Sequence, residues 1–130
     1  MGDNVREREP LATEPATGFE RYAVTLIVVS GDVPGDEHGI LRPRWVIGSG
    51  EGADAVFDDP TMVAAHAAVE FHRGGFRLVA LAPAEAPVGC NGQSVTQQEL
   101  RHGDRIAVGN HVLQILIEKP DAAPIYRIDG

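Results

Sequence analysis

At 130 residues, with 43% hydrophobic and 23% charged residues, the chain is sized for one domain with a substantial core. Its formal net charge is −8, and positions 21–118 hold seven Arg against twelve acidic residues, which argues against a surface built to neutralise nucleic-acid phosphates. No run approaches the roughly 18 apolar residues of a membrane span, and the N-terminal MGDNVREREPLATEP has no signal-peptide core. Arg6 stands where a myristoylation signal requires Ser or Thr, and the single cysteine, Cys90, leaves no internal disulfide to form. A cytoplasmic protein is the default expectation.

Residues 1–20 mix charges with Pro10, Pro15 and Gly18 and show no periodicity, which predicts a flexible tail. Thr13 and Thr17 are read there as ordinary tail residues before kinase targets. A folded domain is predicted over residues 22–118, and 119–130 form a second tail. Ala23–Ser30 is β-branched and almost continuously apolar, as in a strand at the centre of a sandwich. Gly31–Gly39 reads as a turn region leading into a short strand, Ile40–Arg42, which Pro43 ends.

The stretch Trp45–His66 then alternates strand and loop. An apolar run at Trp45–Ile47 breaks at Gly48-Ser49-Gly50, resumes over Ala53–Phe57, and stops at Asp58-Asp59-Pro60 before a loop ending in His66. Beyond it, the alternation of Val69, Glu70, Phe71 and His72 predicts a hairpin turning at Gly74-Gly75, with Glu70, His72 and Arg77 outward. Residues 82–99 read as loop around an Asn91-Gly92 turn, with Val88 and Val95 anchoring short strands. A tight turn at Leu100–Ile106 precedes the last strand, His111–Glu118. No segment shows twelve residues of helical periodicity, so the fold is predicted to be all-β.

Enzymatic readings find little support in the residues. Cys90 with His66 offers a thiol and a base for a small hydrolase, but neither an orienting third group nor an oxyanion site has a sequence signal. The five histidines lack zinc-ligand spacing, and Gly48-Ser49-Gly50-Glu51-Gly52 leads into a β-like segment where a phosphate loop would lead into a helix. No metal or cofactor is expected.

The ordered set Ile47-Gly48, Ala53–Pro60, His66-Ala67, the Gly74-Gly75 hairpin, Asn91-Gly92, Leu100-Arg101-His102-Gly103-Asp104-Arg105-Ile106 and Gly109 resembles the forkhead-associated (FHA) domain family over residues 22–118. That resemblance implies a β-sandwich of about eleven strands in two antiparallel sheets, with recognition loops at one end. The family generally binds phosphothreonine peptides through an Arg after the Gly, a Ser three residues before the His, and a Thr-Asn-Gly turn. Here those places hold Ser49, Val63 and Cys90, with Ala64 where a basic residue often follows. The resemblance leaves Gly48, His66 and Gly92 as structural loop residues. It makes Ser49, Thr61, Val63, Cys90 and Asn91 the candidate recognition residues, with Asn91 read first as a turn residue and second as a ligand contact.

The expected function is a non-enzymatic protein-interaction or scaffolding module that binds a protein partner without phosphothreonine. A working phosphothreonine reader using Ser49, Thr61 and Asn91 is the alternative, and the Cys90–His66 hydrolase a distant third. Degenerate relatives are built into bacterial secretion machines, where they are joined to a membrane segment that these 130 residues do not contain.

Overall fold

The computed structural model describes residues 18–119. It contains eleven strands: β1 Ala23–Ser30, β2 Glu37–Gly39, β3 Arg44–Gly48, β4 Ala55–Val56, β5 Ala67–His72, β6 Gly75–Ala80, β7 Val88–Cys90, β8 Gln93–Val95, β9 Gln97–Leu100, β10 Arg105–Val108 and β11 His111–Glu118. One sheet runs β2-β1-β11-β10-β7-β8 and the other β4-β3-β5-β6-β9. The fold is all-β, as the strand and turn rhythm predicts, and the only helical element among the described residues is a 3-10 turn at Phe19–Arg21. No helix among them is long and apolar enough to cross a membrane.

The core lies between the sheets. Every second residue of β1, namely Val24, Leu26 and Val28, points inward, and Leu113 and Ile115 of β11 face the same space. Ile47, Leu78 and Ile106 are wholly buried beside them. The period-2 geometry of a strand leaves Thr25, Ile27 and Val29 half-buried on the other face. Glu70 and Arg77 stand on the outer face of β5 and β6 as expected, and Arg44 joins them to make a three-membered ion pair.

Several sequence expectations shift. The second strand lies at Glu37–Gly39, not Ile40–Arg42, because that segment pairs with β1 until the Ile40 amide meets the Val24 carbonyl. The chain then leaves for the other sheet with Leu41 exposed. The β5–β6 turn is Arg73-Gly74, one residue earlier than predicted. Both residues have positive φ, 53° and 79°, as a two-residue hairpin requires, and Gly75 is already paired with His72. β9 falls in a segment read as loop.

One pairing departs from antiparallel order: β3 and β4 run parallel over two residue pairs. Parallel neighbours normally need a crossover of a dozen or more residues. Here the glycine-rich loop curls back within a few residues, and the Asp54 carboxylate accepts from the Val46 amide at 2.8 Å to pin it. The packed region also begins before residue 20. Phe19 lies 5.8 Å from the Phe71 ring and 6.1 Å from Phe76, joining Tyr22 in one aromatic cluster. Of the predicted tails, 1–20 and 119–130, residues 1–17 and 120–130, with Thr13 and Thr17, lie outside the described residues.

Candidate functional site

The loops after β3 and after β4 are bound into one surface. The Ser49 amide donates to the Val63 carbonyl at 3.0 Å and the Gly50 amide to the Ala64 carbonyl at 3.2 Å. Gly48 permits this approach, because a Cβ there would overlap the Ala64 carbonyl. The Ser49 hydroxyl donates to the Met62 carbonyl at 2.8 Å, so it serves the loop. Val63 is half-buried beside it, while Thr61 and Ala64 are exposed.

His66 holds this surface from beneath and is 1% exposed. Its Nδ1 accepts the Val63 amide at 3.1 Å, which puts the ring proton on Nε2, 3.3 Å from the Pro87 carbonyl oxygen. Its own carbonyl accepts from the amides of Leu81 and Ala82. One side chain thus ties the β4–β5 loop to the segment Leu81–Pro87. Replacing His66 with alanine is expected to cost about 1–3 kcal/mol by leaving buried polar groups unpaired. Urea denaturation checks this, and a fully stable variant would show that the ring is dispensable to the fold.

A second buried residue, Asp59, organises the same loop and was not singled out by the sequence. Its Oδ1 accepts from the Thr61 amide at 2.8 Å and the Thr61 hydroxyl at 2.6 Å. Its Oδ2 accepts from the Asn110 amide and from His111 Nδ1, each at 2.8 Å. His111 Nε2 in turn accepts the Asp32 amide at 3.1 Å, so the imidazole bridges the carboxylate to the β1–β2 loop. Burial pushes the Asp59 carboxyl pKa up. The hydrogen bonds from Thr61, Asn110 and His111 outweigh burial and hold it well below the usual carboxylate range. The local half of this network has a sequence signal: an Asp two residues before Thr is an Asx-turn pattern.

The structure brings Ser49, Thr61 and Val63 together and places Asn91 and Cys90 elsewhere. The Asn91 side chain accepts from the Arg105 amide at 2.9 Å and donates to Asp104 at 3.1 Å, both at the start of β10. Thr61 and Asp59 instead border the Gly109-Asn110 turn at the other end of β10. Asn91 and Gly92, with φ of 52° and 89°, shape the β7–β8 hairpin. The segment beside His66 is Leu81–Pro87. Cys90 is buried in the core, and burial together with the charge of Asp104 pushes its thiol pKa up. Both ring nitrogens of His66 face backbone groups, the Val63 amide and the Pro87 carbonyl.

Residues 48–66, 81–87 and 109–112 include no Lys or Arg, whereas Glu51 and Asp58 are exposed there. Arg42 is engaged by Asp54. Among the described residues no group of three or more potential ligands forms a metal site.

The family model described as the inner membrane component of T3SS, cytoplasmic domain, matches residues 27–119. The chain belongs to this family of FHA-type domains. Solved structures share the fold of this FHA domain. The FHA domain of the CT664 protein from Chlamydia trachomatis superposes with a TM-score of 0.65 at 19% identity, covering 72% of this chain and 96% of that one. The N-terminal FHA domain of S. cerevisiae Rad53p, in complex with a phosphothreonine peptide, gives 0.65 at 20% identity over 76% of this chain and 96% of that one. The FhaA FHA domain complexed with the intracellular domain of Rv3910 gives 0.63 at 22%, over 71% and 98%. No curated protein sequence matches the chain.

Proposed function

We propose that this FHA domain is a non-enzymatic protein-interaction module, a scaffold whose recognition end engages its partner without phosphothreonine. The reading rests on one observation: the loops around Ser49 and Val63 carry no cation, and the Ser49 and Thr61 hydroxyls are both committed within the loops. A phosphate dianion needs charge-assisted donors to offset its desolvation. Losing a desolvated Arg–phosphate pair costs on the order of 2–5 kcal/mol, most of the affinity of a short peptide. Solved FHA domains occur in complex with a phosphothreonine peptide and with a protein's intracellular domain, which supports a protein partner. The family's secretion-system description supports a scaffold within a larger assembly.

The test is titration of a phosphothreonine peptide library into wild type and into Ser49→Arg/Val63→Ser. Wild type is expected to show no saturable binding at sub-millimolar concentration. The double variant, which regains a bidentate cation and a hydroxyl, is expected to gain weak binding that salt reduces. Micromolar, phosphate-dependent binding by wild type would overturn the proposal and make Ser49 and Thr61 an unconventional anion site.

A further inference from the structure

The two sheets leave an open side where the edge strands β2 and β4 face solvent, and the sandwich is recessed there. The recess measures about 200 Å³, below the roughly 300–1,000 Å³ of small-molecule pockets, so it suits a single side chain. Its floor is a run of three rings, His38 5.1 Å from Phe57 and Phe57 4.8 Å from His111. Its lip is apolar. Val33 and Val56 line it while remaining 54% and 51% exposed, two of the three large hydrophobic side chains so exposed among the described residues.

Around this apolar lip stand Asp32, Asp36 and Asp58. Elsewhere in the domain Asp54 and Glu70 are neutralised by Arg42, Arg44 and Arg77. None of the three rim carboxylates pairs with a Lys or Arg among the described residues, and Asp36 reaches only toward His38 Nε2, at 3.7 Å. That nitrogen is enclosed and has no hydrogen-bond partner. A buried apolar anchor within a polar rim is the anatomy of a binding patch. Here the rim is of one sign, and charge complementarity fixes the sign of the occupant.

We infer that the recess between β2 and β4 is a docking site for an unphosphorylated basic segment of a partner protein, which seats one aliphatic side chain against Val33, Val56 and Phe57 and sets flanking Lys or Arg against Asp32, Asp36 and Asp58. This rests on the proposed reading of the domain as an interaction module and supplies the partner's chemistry.

The test is to pan a display library of random unphosphorylated peptides against the full chain and measure the enriched peptides by fluorescence anisotropy. Enrichment of Lys or Arg next to an aliphatic residue is expected, with affinity that falls as salt rises. Asp36→Asn/Asp58→Asn and Val56→Lys change exposed side chains, so fold retention is checked by circular dichroism. Each is expected to weaken binding at least about tenfold, whereas Glu99→Gln, which removes one acid from β9, keeps wild-type affinity. Enrichment of acidic or uncharged peptides, no enrichment at all, or equal binding by the variants would overturn the inference. Phosphothreonine binding by wild type would sink the phospho-independent reading while leaving these outcomes unchanged, so the two failures are separable.

Discussion

Replacing Asp59 with alanine is expected to lower folding stability by about 3–5 kcal/mol, because a buried acceptor of several hydrogen bonds disappears at once. The amides of Thr61 and Asn110 and the Nδ1 proton of His111 would all lose their partner. Against a typical total of about 5–15 kcal/mol, that is a large fraction. The isosteric Asp59→Asn should rescue little. Its amide would present donors to donors, and turning the His111 ring tautomer to suit would set Nε2–H against the Asp32 amide. Urea denaturation of both variants checks this, and a loss below about 1 kcal/mol in Asp59→Ala would show that water satisfies these groups.

The same residue sets an acid limb. Its folded pKa lies below the unfolded value, so the unfolded chain takes up the proton more readily. The stability it contributes is therefore complete above the unfolded value of about 3.9 and is lost as pH falls from there toward the depressed folded value. Both Asp59 variants should flatten this part of the stability profile while leaving its neutral part unchanged in shape.

Gly48→Ala is expected to destabilise the domain by about 3 kcal/mol or more, at the upper end of overpacking effects. The new methyl would overlap the Ala64 carbonyl oxygen and stand 2.6 Å from its carbon, and both neighbours are backbone. Relief requires separating the two loops, which breaks the Ser49–Val63 and Gly50–Ala64 hydrogen bonds. Gly52→Ala in the same loop meets nothing within 4 Å and serves as the control, with an expected change near zero. Equal melting temperatures for the two variants would remove Gly48 from the architecture of the site.

The fold was legible where local pattern and tertiary role agree. The near-continuous apolar run of β1 marks a strand inside a sheet, and the Asn91-Gly92 pair carries the positive dihedrals its turn uses. β9 was hidden because Gln97-Gln98-Glu99 face solvent on an edge strand and only Leu100 enters the core. The Arg73 turn was misplaced because Gly74-Gly75 is the stronger turn chemistry, while pairing at His72 and Gly75 decides the register. The site was half legible. Ser49 and Val63 come together in the loops that flank β4, and His66 accepts the Val63 amide from beneath them. Asn91 shows the limit: a dipeptide announces a turn but not the end of the sheet at which that turn lies. The Asp59–His111 contact joins residues 52 positions apart, beyond any local pattern.

The pairing of β1 with β11, with Ala23 opposite Glu118, has a consequence for biosynthesis. During translation the apolar run AVTLIVVS leaves the ribosome early and waits for its longest partner until nearly the whole domain has emerged. Closing so long a loop is entropically expensive and slows folding, and the waiting strand is a β-branched edge prone to pair with other chains. The pairing that joins the two ends of the finished domain therefore leaves its nascent form exposed to off-pathway strand pairing until the last strand emerges. It also leaves the two ends of the domain on adjoining strands, a geometry that lets it be carried within a longer polypeptide without stretching its host.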